Sequence, residues 1–411
     1  MRVTGIGVVA PNGVGTEEYW SATLAGKSGL DRLTHLDPVR YPTMVGGVVA
    51  DFFVSDHVPA RLAVQTDRGT QFGLAAAALA LADAGLDPRE LPPFALGVVT
   101  STASGGNEFG QREIQKLWAD GPDHIGVYQS IAWFYAATTG QVSIRYGARG
   151  PCGVVVSEQA GGLDALAQAR RMLRAAGADS AAGADSAAGD GCAGTRVMLA
   201  GGTEAPLSPY AMLCQTSNGR MSTSADPLRA YLPFDAEASG YVPGEGGAMM
   251  VLDRAATGGY GEIAGYAATF DPAPGGHRRP GLDRAVEAAL RDAQIPARDI
   301  DVVFADGAGV PDLDWIEAAA IARVFGARAV PVTVPKSMTG RLYAGAGALD
   351  VATALLALRD QVVPPTVGVT EVPARHLIDL VVGEPREVPL RSALVLARGT
   401  GGFNAAMVLR K

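Results

Sequence analysis

An α/β fold built from two similar halves is what this sequence predicts, on three observations. Short apolar runs of strand length alternate with helix-period segments along the whole chain. At 411 residues the chain exceeds one ordinary core, and 48% hydrophobic residues give it a large interior to fill. Its 53 glycines, against 6% aromatic residues, suit the many tight strand-to-helix turns of such a fold.

Taken in order, Val3–Ala10 reads as a buried strand, Gly73–Ala84 as an Ala-rich buried helix and Leu96–Thr100 as a second strand. The apolar run from Val154 turns into a small-residue helix that continues through Leu166. Val197–Ala200 is a strand that ends at Gly201-Gly202. Ala248–Leu252 and Gly261–Ala268 are strands at the crossover between the halves, which divide as 1–250 and 251–411. The second half repeats the style without a detectable sequence repeat. It reads as helix Gly281–Ala293, strand Asp301–Ala305, helix Leu313–Phe325, strand Val330–Val334, helix Gly345–Leu358 and closing strands Ala393–Ala397 and Ala405–Leu409. Such alternation argues for parallel or mixed sheets covered by helices. Residues 175–194 read as a low-complexity surface loop, because GADSAA occurs twice there, at 177–182 and 183–188, with no apolar face to bury.

Composition narrows the function. A net charge of −8 and the absence of a Lys/Arg cluster argue against a nucleic-acid partner; the pairs Arg170-Arg171 and Arg278-Arg279 are too short to make a basic face. Cys152, Cys192 and Cys214 show neither metal spacing nor a disulfide framework, so a reducing cytoplasm is the expected compartment. The N-terminus lacks the features of a signal peptide, and no apolar run reaches the roughly 18 residues of a membrane span.

The motifs carry more. Val3-Thr4-Gly5-Ile6-Gly7 with Pro11 and Gly13 opens the chain. Pro233-Phe234-Asp235 is followed by Gly240 and Gly244-Glu245-Gly246-Gly247. Later come Lys336-Ser337-Met338-Thr339-Gly340 and the closing Gly401-Gly402-Phe403-Asn404. In this order the set resembles the β-ketoacyl synthases. The resemblance implies the thiolase fold, with two α-β-α-β-α halves in a five-layered core, and an obligate dimer.

Condensing enzymes of that family need a cysteine at a helix N-terminus, where the dipole favours the thiolate and a backbone N–H helps hold the oxyanion. They also need two histidines to decarboxylate the malonyl unit. The matching positions here hold none of these groups. Gln159 stands at the nucleophile position in VVVSEQAGGLDAL, and a delocalised amide cannot accept an acyl group. Asp306, in Asp306-Gly307-Ala308-Gly309-Val310 with Asp314 and Glu317 downstream, replaces the first histidine. Arg341, after Thr339-Gly340, replaces the second. Lys336 is retained. None of the five histidines lies in a matching motif, and Cys152 is seven residues too early. Asp306 and Arg341 are expected to pair where two histidines faced each other, keeping the packing without the catalysis. Thr400 stands where active members carry a gating phenylalanine.

Within the family, the context Ser157-Glu158-Gln159-Ala160-Gly161-Gly162-Leu163-Asp164-Ala165-Leu166 resembles the chain length factor, or ketosynthase β, of bacterial type II aromatic polyketide synthases. Residues 128–150 and 304–311 resemble it too. The resemblance implies a heterodimer with a catalytic ketosynthase α, malonyl units delivered on the phosphopantetheine arm of an acyl carrier protein, no bound cofactor or metal, and no membrane. It also implies a tunnel at the subunit interface whose end is lined by Asn107, Gly110, Ile114 and Ile131. The spacing of 107, 110 and 114 puts them on one helix face; members making shorter chains place bulky aromatics at some of these positions, so the resemblance implies that Asn, Gly, Ile and Ile leave room for a comparatively long chain. Three alternatives stay open: a priming decarboxylase using Gln159, weak acid–base activity at Asp306 and Arg341, and a purely structural stabiliser of the ketosynthase. Gln159 itself has two readings, a ligand to a malonyl or thioester group or a filler that satisfies buried backbone groups.

Overall fold

The architecture comes from a computed structural model, in which the described residues are 1–37, 39–41, 43–181, 194–273 and 280–411. The main-sheet strands are β1 (Arg2–Ala10), β2 (Leu96–Ser101), β3 (Cys152–Val155), β4 (Val197–Glu204), β5 (Gly246–Asp253), β6 (Gly261–Phe270), β7 (Val302–Phe304), β8 (Pro331–Thr333), β9 (Asp379–Leu380), β10 (Ser392–Gly399) and β11 (Phe403–Arg410). The principal helices are α1 (Arg68–Asp83), α2 (Asn107–Asp120), α3 (Ala137–Tyr146), α4 (Gly161–Ala181), α5 (Leu282–Ala293), α6 (Pro311–Phe325) and α7 (Ala344–Asp360).

The strands form one hydrogen-bonded path, β9-β8-β7-β10-β11-β6-β1-β5-β4-β2-β3, with the short strand Gly13–Val14 paired to β1. Two copies of one pattern make up this path. In the first, strands run β3-β2-β4-β5-β1; in the second, β8-β7-β10-β11-β6. In both, the pair of β2-type junctions is parallel and the next two are antiparallel. Within the sheet, the copies join where β1 pairs with β6, at Arg2↔Glu262 and Val3↔Gly261. This is a structural repeat that the sequence does not display.

Layers follow from which faces are apolar. Helices α4 and α7 pack on each other and on strands of both copies, and the largest buried cluster, with Leu163, Leu166, Leu349 and Leu355, lies around them. Helix α1 covers β1, β4 and β5 on one outer face, around Phe72 and Leu74; α5 covers β6 and β11 on the other, around Val286 and Leu290. The order is helix, sheet, helix, sheet, helix, the five-layered thiolase arrangement.

Every strand and helix read from the sequence exists, and most extend beyond the reading. Strand β4 runs through Gly201-Gly202 instead of turning there. The paired glycines serve a close approach: a Cβ at Gly202 would lie 2.0 Å from Ser101 Oγ and 2.5 Å from the Ala344 carbonyl oxygen at the start of α7. Between the central helices, a Cβ at Gly162 would lie 2.3 Å from the Ala348 nitrogen. Helix α4 continues to Ala181, so residues 175–181 extend it rather than open a loop, as their alanine content favours. The rest of the duplicated hexamer, Cys192 and the Arg278-Arg279 pair lie outside the described residues. Among the described residues, no helix is long and apolar enough to cross a membrane.

Candidate functional site

The turn between β3 and α4 carries Gln159. Glu158 takes φ 51°, a left-handed conformation uncommon for a residue with a side chain. The single 3-10 turn Glu158–Ala160 then leads into α4. Gln159 is 2% exposed. Its Oε1 is buried and has no hydrogen-bond partner, so the structure gives no backbone donor for it to satisfy. Glu158 behaves differently. Its Oε2 accepts the Gln159 N–H at 3.0 Å and the Thr400 N–H at 2.7 Å, and its Oε1 accepts the Thr400 hydroxyl at 3.1 Å. Thr400 itself is exposed in the loop joining β10 and β11.

Asp306 and Arg341 form a buried two-pronged ion pair, with Nη1 to Oδ2 at 2.8 Å and Nη2 to Oδ1 at 3.2 Å. Arg341 also donates to the Asp306 and Arg398 carbonyls, and the Arg398 N–H donates to Asp306 Oδ1 at 3.0 Å. Burial alone would raise the Asp306 pKa; the Arg341 guanidinium and Lys336 ammonium outweigh it and hold the carboxyl below its ordinary value. Lys336, also buried, pairs with Asp350 at 2.7 Å and donates to the Ala305 and Asp306 carbonyls.

Asp314 and Glu317 hold the loop that carries Asp306. Glu317 accepts the Asp306 and Gly307 N–H groups at 2.7 and 2.9 Å; Asp314 accepts those of Gly309 and Phe234 at 3.0 and 2.8 Å. Burial pushes Asp314 up to about 7 despite these bonds. Burial, then the neighbouring Asp306 charge, raises Glu317 as well.

Gln159, Asp306, Arg341 and Thr400 converge on one cavity of about 310 Å³, which Glu158, Arg220, Tyr241, Arg398 and Phe403 also line. Lys336 stands behind it. Sequence reasoning missed Glu158, Arg220 and Arg398. For Glu158 the only signal was its position one residue before the nucleophile site, since its partner Thr400 is 242 residues away.

Asn107, Gly110, Ile114 and Ile131 are not at this cavity. The first three lie on α2, and Gln129–Ala132, which holds Ile131, packs beside that helix. Gly110 is buried, and a Cβ there would meet Trp133 Cβ at 3.5 Å, an ordinary contact. Ile114 is 52% and Ile131 40% exposed. Ile131, Phe134 and Ile144 line one surface pocket, and Trp118, Val127, Trp133, Tyr135 and Val156 are also exposed. Helix α3, which carries Ile144, packs on the outermost strand β3, where Cys152 Sγ lies 3.8 Å from Ser143 Oγ.

Comparison with known proteins follows this geometry closely. Residues 1–189 and 192–257 match the Beta-ketoacyl synthase N-terminal domain, and residues 260–370 match its C-terminal domain. The chain is 56% identical to the tetracenomycin polyketide synthase ketoacyl synthase beta subunit of Streptomyces glaucescens, covering 100% of this chain and 98% of that one. It is 53% identical, with the same coverage, to the actinorhodin polyketide putative beta-ketoacyl synthase 2 of Streptomyces coelicolor. Among solved structures it resembles the ishigamide ketosynthase/chain length factor, with TM-score 0.86 and 25% identity over 100% of this chain and 98% of that one. It also resembles a type II polyketide synthase ketosynthase, bound to the hexaketide and in complex with its acyl-carrier protein, with TM-score 0.85 and 27% identity over the same shares.

Proposed function

The chain belongs to the β-ketoacyl synthase family, as a ketosynthase β subunit of the type II polyketide kind, and we propose that it is the non-catalytic half of a heterodimer that sets polyketide chain length. The observation that carries this reading is the state of the site: an amide at the nucleophile position and a buried Asp–Arg ion pair at the two histidine positions, on an intact glycine scaffold. None of the three positions offers an acyl-accepting nucleophile, so the condensing cysteine would come from another chain. The partner is a ketosynthase α, and malonyl units reach it on the phosphopantetheine arm of an acyl carrier protein, which this chain does not itself bear. The exposed apolar face around Trp133 is the surface that would meet the partner, because so many large side chains left in water need covering.

Chain length would be set on that same face. Asn107, Gly110, Ile114 and Ile131 present small or aliphatic side chains, which leave space at the end of a tunnel shared with the partner. The two exposed free cysteines, Cys152 and Cys214, agree with work in the cytoplasm.

Native mass spectrometry of the chain co-expressed with a ketosynthase α from the same source tests the pairing: a one-to-one complex is expected, and a homodimer that ignores the ketosynthase overturns it. In that complex the Gly110→Thr/Ile114→Phe variant is expected to release a shorter polyketide. An unchanged product from a folded complex would remove the tunnel role.

A second reading, priming by malonyl decarboxylation, has one observation in its favour, the unpartnered Gln159 amide that lines the cavity. Against it, the Glu158 carboxylate on the adjoining amide would repel a malonyl carboxylate. Gln159→Ala with normal acetyl-primer formation would discard it.

A further inference from the structure

Two backbone N–H groups, one from each half of the chain, point at one spot. One belongs to Gln159, at the turn into α4; the other belongs to Thr400, in the loop between β10 and β11. A pair of amides aimed at one point is the geometry that holds the developing oxyanion when a thioester carbonyl is attacked. Here that point is taken by Glu158 Oε2, 3.0 Å from one nitrogen and 2.7 Å from the other. Both distances suit donors to an oxyanion.

Three further observations show that the carboxylate is built into this place. The Thr400 hydroxyl fixes its second oxygen at 3.1 Å. Gly399 makes room for it, since a Cβ there would lie 2.8 Å from Oε2. Glu158 holds a left-handed φ of 51° in the turn that aims it. The same cavity contains the buried, unpartnered Oε1 of Gln159, so the site still has polar capacity that its own residues do not use.

We propose that Glu158 is an internal ligand that plugs this two-amide site, in the place such donors give to a thioester carbonyl or a small carboxylate. The chain is thereby closed to acyl thioesters twice over, once by the missing nucleophile and once by the filled site. Restoring the nucleophile alone leaves the second block in place.

The test uses the full chain carrying Gln159→Cys, with Glu158 intact or replaced, and octanoyl-N-acetylcysteamine as acyl donor. The introduced thiolate attacks the thioester carbonyl carbon. A new C–S bond forms as the bond to N-acetylcysteamine breaks, and the departing thiolate takes up the proton that the attacking thiol gave up. Acylation is followed by intact-protein mass and divided by the iodoacetamide alkylation rate of the same thiol, a reaction that forms no oxyanion. Glu158→Gly suits the left-handed φ and empties the site; its normalised acylation rate is expected to exceed that of Gln159→Cys alone by about 100-fold. Glu158→Gln keeps an oxygen on the two amides without the charge and is expected to stay slow. Equal normalised rates with and without Glu158 overturn the proposal. So does a Glu158→Gln rate that matches the glycine variant, because charge rather than occupancy would then be the barrier. Glu158→Ala repeats the measurement should the glycine variant lose its cooperative melt.

Discussion

Asp306 and Arg341 are both almost wholly buried, and burial decides what each can do. Alone, either charge would stand in a low-dielectric interior without an adequate counter-charge; together they satisfy one another and the Arg398 backbone. Asp306→Ala is therefore expected to lower stability by about 3–5 kcal/mol, the scale of orphaning a buried partner, as read by denaturant unfolding. Replacing both residues with Leu and Met should be milder than either single loss. The pH dependence has a definite sign. The native Asp306 pKa lies below its ordinary value, so its stabilisation is present above about pH 4 and is lost as pH falls through the folded value. The melting temperature of the native chain should therefore drop between pH 5 and pH 3 more steeply than that of the double variant. These positions were legible in the sequence because each sits beside glycines within one short motif, Asp306 before Gly307 and Arg341 after Gly340. Glu158 was not, because its contact with Thr400 exists only after 242 residues of chain have folded back.

At the scale of elements, helix α2 depends on two buried carboxyl groups that it does not contain. Asp67 caps α1 through the Gly69 N–H at 3.0 Å and also accepts the Phe109 N–H in the first turn of α2 at 2.9 Å. Glu204, at the end of β4, accepts the Ala103 N–H and the Ser104 hydroxyl, just before the Gly105-Gly106 pair that launches α2. Losing one cap typically costs about 1 kcal/mol, so Asp67→Ala, which loses two, should cost about 2 kcal/mol and expose the Phe109 amide to exchange. Burial raises Asp67 to about 6 and Glu204 to about 7. For raised groups the stabilisation is full below the ordinary carboxyl range and is lost as pH rises through the folded values. Amide protection at Ala103 and Phe109 should therefore fall by at least ~10-fold between pH 5.5 and pH 8, and Glu204→Gln should remove most of that fall. The resemblance implied a helix after Gly105-Gly106, and the local spacing put positions 107, 110 and 114 on one face of it. The sequence did not display what anchors the helix, since Asp67 lies 42 residues before Phe109 and Glu204 lies 101 residues after Ala103.

Across the whole molecule, two copies of one strand pattern share a core, yet one side of the first copy is left unfinished. The first copy ends at β3, a half-exposed strand, whereas the corresponding edge of the second copy, β8, is covered by β9. Helix α3 packs on β3 and carries Ile144 at 71% exposure; Phe134, at 54%, lines one pocket with Ile144, and Trp133, its neighbour in the chain, is 48% exposed. Neither the strand repeat nor this asymmetry is visible in the sequence, because each depends on which strand pairs with which. An open strand edge flanked by large apolar side chains is a liability in water unless another chain covers it. A tryptophan that a partner covers is the kind of residue that carries binding energy. Trp133→Glu should therefore weaken the complex with the ketosynthase α by at least ~30-fold, about 2 kcal/mol, as read by titration in native mass spectrometry. Val382→Glu places the same charge on an exposed apolar residue of the second half, away from β3, and should leave the affinity unchanged. If the two variants weaken the complex equally, the face around Trp133 is not the contact, and the tunnel residues beside it lose their place at the interface.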